Sequence, residues 1–257
     1  MHAAIYDDYI HNNAALHRRI HNDSSIHSWT LISASDIRGG YLEKANPDVF
    51  IMPGGADLYY CDKLNGSGNR RIHNYVDNGG VYLGICAGAY YACQSLSWRK
   101  GTDQEISGKR ELNFVDACAV GPIKEFTQGA ENQDYKTYDI VDITLQGQYH
   151  VPVLYWGGPL FQGVEHDRDV DVLCRFAGLK DTPPAMIEKP VGKGRVILSS
   201  VHFEYTSRDI GDMSCNVSEN DFYLDQDKYE YLRAGEENLS KLWAALWAKL
   251  GTYRQAA

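Results

Sequence analysis

The sequence has no apolar run of the length that crosses a membrane, and no tract rich in proline or serine. Its first eight residues also lack the basic segment and apolar stretch of a secretory signal. Hydrophobic residues make up 44% of the 257 positions and charged residues 23%, as in ordinary globular proteins. We therefore expect a cytoplasmic protein without a membrane partner, folded as one domain over residues 1–257.

Positive charge is scarce as well. Lys and Arg total 25 against 34 Asp and Glu, which gives a formal net charge of −9 at pH 7. Such a chain repels phosphate backbones, and its basic clusters are no larger than pairs such as Arg70-Arg71. We expect no nucleic-acid partner.

The six cysteines are too few for a disulfide framework, and no CxxC pair suggests a zinc site. His17 and His21 share a predicted helix face, but no Cys or acidic partner has the spacing of a metal ligand. A solvated helix face is the favoured interpretation of this pair. We expect neither a metal nor a cofactor.

Short apolar segments alternate with helix-forming segments in the first third of the chain. The predicted strands are 3–6, 29–32, 49–52 and 81–84, and the predicted helices are 13–21 and 70–78. This alternation is typical of an α/β fold with a doubly wound, mostly parallel sheet of the flavodoxin-like kind.

Later segments have a different pattern. Residues 100–190 contain strand-like runs at 140–145 and 150–156 without clear helices between them, which predicts an antiparallel extension of the sheet. The apolar segment 196–201 predicts a buried strand that ends at His202.

The last part of the chain contains one clear helical pattern. Residues 239–250 are apolar at helical spacing, so we expect a helix that packs on the sheet. Residues 205–231 are acidic and poorly patterned, and we interpret them as a loop that covers the site or as a partner surface.

The segment Gly84-Ile85-Cys86-Ala87-Gly88 lies between a predicted strand and a predicted helix, which is the context of a nucleophile elbow. Flanking glycines leave room around such a sharp turn, and the N-terminus of the following helix favours a thiolate. The alternative is a small buried cysteine in a tight turn.

Two further motifs supply partners for Cys86. Pro53-Gly54-Gly55 ends a predicted strand, so it reaches the same sheet edge as the elbow. A backbone N–H there and one at the elbow would form an oxyanion hole worth ~3 to 4 kcal/mol per donor. His202-Phe203-Glu204 supplies a base and a carboxylate that orients it.

These motifs, in this order, resemble the class I glutamine amidotransferase superfamily over roughly residues 45–210. Segments 53–60, 82–91 and 155–161 are similar to the amidotransferase-like N-terminal domain of eukaryotic-type biotin-protein ligases. The resemblance implies a hydrolase of a small-molecule amide, with Cys86 as nucleophile, His202 as base and acid, and Glu204 as its orienter. The implied oxyanion donors are Gly55 and Ala87, and the implied substrate-binding residues are Gly54, Asp57, Tyr60, Tyr90, Tyr155 and Gly157.

The sequence departs from the superfamily pattern at two positions. Tyr90 stands where members that hydrolyse glutamine usually have Gln, and Phe203 stands where they commonly have Pro. The glycine- and arginine-rich loop that forms biotinyl-adenylate is absent, and residues 191–196 instead predict a turn. The resemblance therefore implies neither glutamine as substrate nor ligase activity.

Two alternatives and two questions stay open at this point. The chain could be a binding or regulatory module that keeps the pocket without turnover. It could also be related to the intracellular cysteine peptidase and deglycase-like group, in which an early acidic residue, here Asp7 or Asp8, lies beside the cysteine. The sequence specifies neither the substrate nor the oligomeric state.

Overall fold

The computed structural model of the chain describes residues 1–8, 13–127, 138–145, 149–216 and 226–255. Its strands are β1 (His2–Tyr6), β2 (Ser28–Ile32), β3 (Val49–Met52), β4 (Val81–Ile85), β5 (Cys93–Trp98), β6 (Ile106–Lys109), β7 (Val115–Gly121), β8 (Tyr138–Leu145), β9 (Tyr149–Trp156), β10 (Leu160–Gln162), β11 (Asp171–Phe176), β12 (Pro184–Val191) and β13 (Gly194–Ser199). Its α-helices are α1 (Ala14–Asn22), α2 (Ala34–Arg38), α3 (Tyr41–Ala45), α4 (Asp57–Leu64), α5 (Ser67–Asp77), α6 (Ala87–Ala92), α7 (Ser207–Asn216), α8 (Gln226–Ala234) and α9 (Glu236–Gln255). Among these described helices, none is long and apolar enough to span a bilayer.

A nine-stranded sheet has the order β2-β1-β3-β4-β13-β12-β11-β8-β9. The strands from β2 to β13 pair in parallel, and β12, β11, β8 and β9 continue the sheet in antiparallel pairing. The α/β fold with a parallel sheet and an antiparallel extension is confirmed. Strands β3 and β4 are buried at every residue, as expected for parallel strands covered on both faces.

Helices cover both faces of the parallel region. Ile5 and Ile51 lie in one buried cluster with residues of α1 and α9, whereas their neighbours Tyr6 and Phe50 lie in a second cluster with residues of α2 and α5. Successive strand residues point to opposite faces, so each strand contributes to both cores. The sheet is therefore doubly wound, and its strand ends are fixed by packing from two sides.

A second, four-stranded sheet with the order β10-β7-β5-β6 follows the short helix α6. Part of the segment 100–190 thus forms a sheet of its own, which the sequence pattern did not predict. Strand pairing joins residues far apart in sequence, and the pattern of each strand alone does not specify its partner.

The prediction of a loop over residues 205–231 is wrong where the structure describes this segment, because α7 and α8 lie within it. Asp209 accepts hydrogen bonds from the Thr206 N–H at 2.8 Å and from the Thr206 hydroxyl at 2.6 Å. This Thr-x-x-Asp pattern is typical of a helix start, and the acidic composition concealed it. Residues 217–225 lie outside the described ranges.

Candidate active site

Cys86 lies on the sharp turn between β4 and α6. Its φ of 50° and ψ of −103° are rare for a residue with a side chain. Its N–H donates to the Ser199 carbonyl at 2.8 Å, and its own carbonyl accepts from Ala89 and Tyr90 at 2.9 and 3.0 Å. The predicted elbow backbone is present. A backbone conformation of this kind costs about 1 to 3 kcal/mol, and the hydrogen bonds of the Cys86 N–H and carbonyl hold it in place.

His202 follows β13 and lies beside Cys86. A Cβ built on Gly54 would contact both the Cys86 and the His202 side chains, and Nδ1 of His202 lies 2.7 Å from Oε1 of Glu204. All three residues are less than 10% exposed. The His202 N–H also donates to the Leu154 carbonyl of β9 at 2.8 Å. His202 is thus hydrogen-bonded to Glu204 and fixed to the backbone of β9, and the Cys86 side chain lies beside it.

The electrostatic surroundings favour a protonated imidazole. Burial alone would lower the pKa of His202, but the Glu204 carboxylate, the nearby Cys86 side chain and the hydrogen bond to Glu204 outweigh burial and raise that pKa to about 10. The ring therefore keeps its proton through neutral pH and loses it as the pH rises through about 10. An imidazolium beside a cysteine stabilises the thiolate, which is the nucleophilic form.

The Pro53-Gly54-Gly55 turn is held against this pair. The Tyr60 hydroxyl lies 3.1 Å from the Pro53 carbonyl oxygen and 3.2 Å from that of Gly54, and the Gly88 N–H donates to Pro53 at 3.2 Å. A Cβ placed on Gly54 would lie 2.7 Å from Cε1 of His202. Only glycine permits this close approach between the turn and the imidazole.

Of the two predicted oxyanion donors, Ala87 directly follows Cys86, and Gly55 follows the glycine that approaches it. Ala87 is the first residue of α6, where helix geometry leaves backbone N–H groups without partners inside the helix. Gly55 follows Gly54, and a Cβ placed on Gly54 would lie 3.6 Å from the Cβ of Cys86. Their role as donors to a substrate oxygen stays a prediction.

The hydroxyls of Tyr90 and Tyr155 have partners within the protein. Tyr90 donates to the Gly157 carbonyl at 3.0 Å, and Tyr155 donates to the Gly158 carbonyl at 2.9 Å. Burial raises the pKa of both phenols well above the usual range. These tyrosines support the segment that carries Trp156, whose carbonyl oxygen lies 3.3 Å from Sγ of Cys86.

Asp57 lies at the start of α4 and pairs with Arg110, with 2.5 Å between Oδ2 and Nε. The two side chains are 12% and 6% exposed. Burial raises the pKa of the Asp57 carboxyl, although Arg110 opposes this rise.

Sequence reasoning missed both Arg110 and Trp156. No motif includes Arg110. Trp156 approaches Cys86 with its backbone carbonyl, and a contact made by the backbone does not depend on the residue type, so the sequence does not indicate it.

The early acidic residues have other partners. Asp8 accepts a hydrogen bond from the Ala34 N–H at 2.6 Å, and the charge of Asp7 acts on His17. Glu204 is the carboxylate that contacts the His202 imidazole. This geometry does not favour a relationship to the deglycase-like group.

Within the described ranges, no group of three or more His, Cys, Asp or Glu residues could hold a metal ion.

Removing the Tyr90 hydroxyl should destabilise the fold. Tyr90→Phe leaves the buried Gly157 carbonyl without its donor, so we expect the free energy of unfolding to fall by about 1 to 2 kcal/mol in urea denaturation. Tyr149, 55% exposed on the edge strand β9, provides the matched control, because Tyr149→Phe should change stability by less than about 0.5 kcal/mol. Equal effects of the two substitutions would contradict a supporting role for the Tyr90 hydroxyl.

Sequence comparison identifies relatives of the chain. The family model described as "Biotin-protein ligase, N terminal" matches residues 43–255. A biotin–protein ligase of Schizosaccharomyces pombe is 32% identical over 166 residues, which are 63% of this chain and 26% of that protein. An uncharacterized protein of Chlamydia muridarum is 35% identical over 165 residues, which are 64% of this chain and 63% of that protein. The chain thus matches about a quarter of the first relative and less than two thirds of the second.

Structural comparison agrees with the predicted fold. A crystal structure of a glutamine amidotransferase has a TM-score of 0.54 at 16% identity, over 78% of this chain and 90% of that chain. A glutamine amidotransferase of Thermotoga maritima has a TM-score of 0.54 at 10% identity, over 97% of both chains. At these identities the likeness concerns the fold alone, and it confirms the class I amidotransferase-like architecture.

Proposed function

The chain belongs to the biotin-protein ligase N-terminal family, and on this basis we propose that it is a cysteine-dependent hydrolase of a small-molecule amide. The placement of Cys86 beside His202, whose Nδ1 lies 2.7 Å from Oε1 of Glu204, is the observation that carries the proposal. A nucleophile, a base within hydrogen-bond reach and a group that orients the base are the parts that acyl transfer requires.

In the proposed reaction the Cys86 thiolate attacks the amide carbon and forms a tetrahedral intermediate. The His202 imidazolium gives its proton to the leaving nitrogen, the C–N bond breaks, and an acyl thioester with Cys86 remains. Neutral His202 then takes a proton from water, which attacks the thioester. The C–S bond breaks, a carboxylic acid is released, and the Cys86 thiolate and the His202 imidazolium are restored. Backbone N–H groups of Ala87 and Gly55 stabilise the oxyanion in both steps.

The surroundings of Tyr90 favour an amide other than glutamine. The Tyr90 hydroxyl donates to Gly157 and its ring packs against Trp98 at 5.7 Å, so this position offers no polar side chain to an amino-acid head group. A pocket that recognises an α-amino acid needs such polar partners.

Alkylation with iodoacetamide at neutral pH tests the state of the nucleophile. We expect Cys86 to react at least about tenfold faster than Cys61, as measured by peptide mass spectrometry at short reaction times. Cys61 is the more exposed of the two, but burial raises its pKa to about 11, so it reacts as a thiol. His202→Gln should remove the preference. Faster labelling of Cys61 than of Cys86 would contradict the proposal.

A second candidate function is a binding or regulatory module without turnover. The limited exposure of Cys86, at 7%, favours this alternative. Turnover distinguishes the two functions, because a hydrolase releases ammonia or an amine from a panel of small amides and loses this activity on Cys86→Ala. A binding module would show no release, and Cys86→Ala would leave its ligand affinity unchanged.

A further inference from the structure

Arg19 lies on α1 and packs, through Trp243 and Phe203, near the Glu204 carboxylate that contacts His202. Its guanidinium lies over the ring of Trp243 in α9, 5.0 Å from the ring centroid. Trp243 packs against Phe203 with 5.9 Å between centroids, and Phe203 separates His202 from Glu204 in the sequence. This packing places a half-buried positive charge next to the segment that carries the base and its orienter.

Both Arg19 and Glu204 have buried polar atoms without hydrogen-bond partners among the described residues. These atoms are Nε and Nη2 of Arg19 and Oε2 of Glu204, whose other oxygen contacts His202. Buried donors and acceptors in folded proteins nearly always find partners, because an unpaired group loses its hydration without compensation. Burial lowers the pKa of Arg19, and the Asp209 and Glu204 carboxylates oppose this change.

The other charged groups around this pair have partners, although Oδ1 of Asp209 has an ion pair and no hydrogen bond. Asp209 pairs with Arg18 at 2.8 Å, Asp23 accepts from Nε1 of Trp243 at 2.6 Å, and Glu236 accepts from the Ser207 N–H at 2.7 Å. Titratable and charged groups face Arg19 and Glu204 from two sides. Those on or beside the helices α1, α7 and α9 are Arg18, Asp23, Asp209 and Glu236. Those in the candidate site are Cys86, His202 and Tyr205.

We propose that Arg19 is a positioning residue for Glu204, and that its guanidinium holds Oε2 through one ordered water. This contact keeps the carboxylate aimed at His202. The inference rests on the proposed function, since it assigns Arg19 a part in maintaining the thiolate and imidazolium of that site.

Removal of the Arg19 charge destabilises the Cys86 thiolate whichever way Glu204 responds. If Glu204 stays ionised, the site becomes more negative and repels the thiolate. If Glu204 takes up a proton, the His202 imidazolium loses the charge that stabilises it, and the thiolate then loses its counter-ion. In both situations the thiolate forms at higher pH.

The pH dependence of Cys86 alkylation tests the proposal in three variants of the full chain. Arg19→Met keeps the packing on Trp243 but removes the charge, and we expect the midpoint of the profile to rise by about one pH unit. Arg19→Gln removes the charge with a different shape and should shift the midpoint in the same direction. Arg19→Lys keeps the charge, and its midpoint should stay close to that of the unsubstituted chain.

Arg18→Met is the matched control, because Arg18 pairs with Asp209 rather than Glu204, and its midpoint should not change. A merely structural Arg19 would lower the melting temperature without moving the midpoint, and an unshifted midpoint in folded Arg19→Met or Arg19→Gln would overturn the proposal. An equal shift in Arg19→Lys would do the same. Failure of the proposed function is separate, since it would appear as no release of ammonia or an amine from the amide panel by the unsubstituted chain, whose alkylation midpoint is still measurable.

Discussion

Replacing Gly54 with alanine should slow the alkylation of Cys86 at neutral pH by about a hundredfold. The new methyl group would lie 2.7 Å from Cε1 of His202, well inside contact distance. The imidazole has little room to retreat, because Glu204 holds Nδ1 at 2.7 Å and Leu154 holds the His202 backbone at 2.8 Å. Either the ring or the turn must move, and both movements separate His202 from Cys86.

Gly178 offers a matched control for this substitution. No atom lies within 4 Å of a Cβ built there, and its φ is not in the left-handed region. Gly178→Ala should therefore leave the alkylation rate and the melting temperature unchanged. An alkylation rate in Gly54→Ala equal to that of Gly178→Ala would show that the turn does not constrain His202.

Replacing Arg110 with methionine should lower the free energy of unfolding at pH 7 by about 3 to 5 kcal/mol, measured in urea. The substitution leaves the Asp57 carboxylate 12% exposed and without its cation. The loss should shrink as the pH falls. Burial in the folded state already raises the pKa of Asp57, and the loss of Arg110 raises this pKa further. As the pH falls, Asp57 therefore takes up a proton in the folded state before it does so in the unfolded state, and this protonation stabilises the folded variant.

The double variant Asp57→Asn/Arg110→Met separates lost charge pairing from lost packing. An amide at position 57 removes the unpaired charge, so the double variant should recover most of the stability that Arg110→Met loses. If the double variant is no more stable than the single one, Arg110 acts through its packing and not through its charge.

The central parts of the candidate site could be predicted from sequence because each follows a strongly apolar strand. Met52 ends β3, Ile85 ends β4 and Ser199 ends β13, and these strands are neighbours in the parallel part of the sheet. Parallel strands end at one edge, so the turns that follow them meet there. Order along the chain was sufficient to bring Gly54, Cys86 and His202 together.

The supporting residues could not be predicted in the same way. Arg110 contacts Asp57 across 53 residues, and Arg19 lies behind Glu204 only because α1 and α9 pack on the same face of the sheet. Such contacts depend on how helices and sheets are placed, which local patterns do not specify. Tyr90 was expected to bind substrate, and whether it does so stays a prediction, although its hydroxyl already has a partner.

The bridge between Leu154 and His202 gives the antiparallel extension a second role. It joins β9, the last strand of the sheet, to the residues that follow β13. The five strands β13, β12, β11, β8 and β9 are thereby closed into a ring, and Cys86 lies where β9 meets the end of β13, which we call the seam. A seam held by an isolated bridge opens at a lower free-energy cost than a full strand pairing. Widening of this ring would break the backbone hydrogen bond that holds His202, without disturbing the parallel strands β3 and β4.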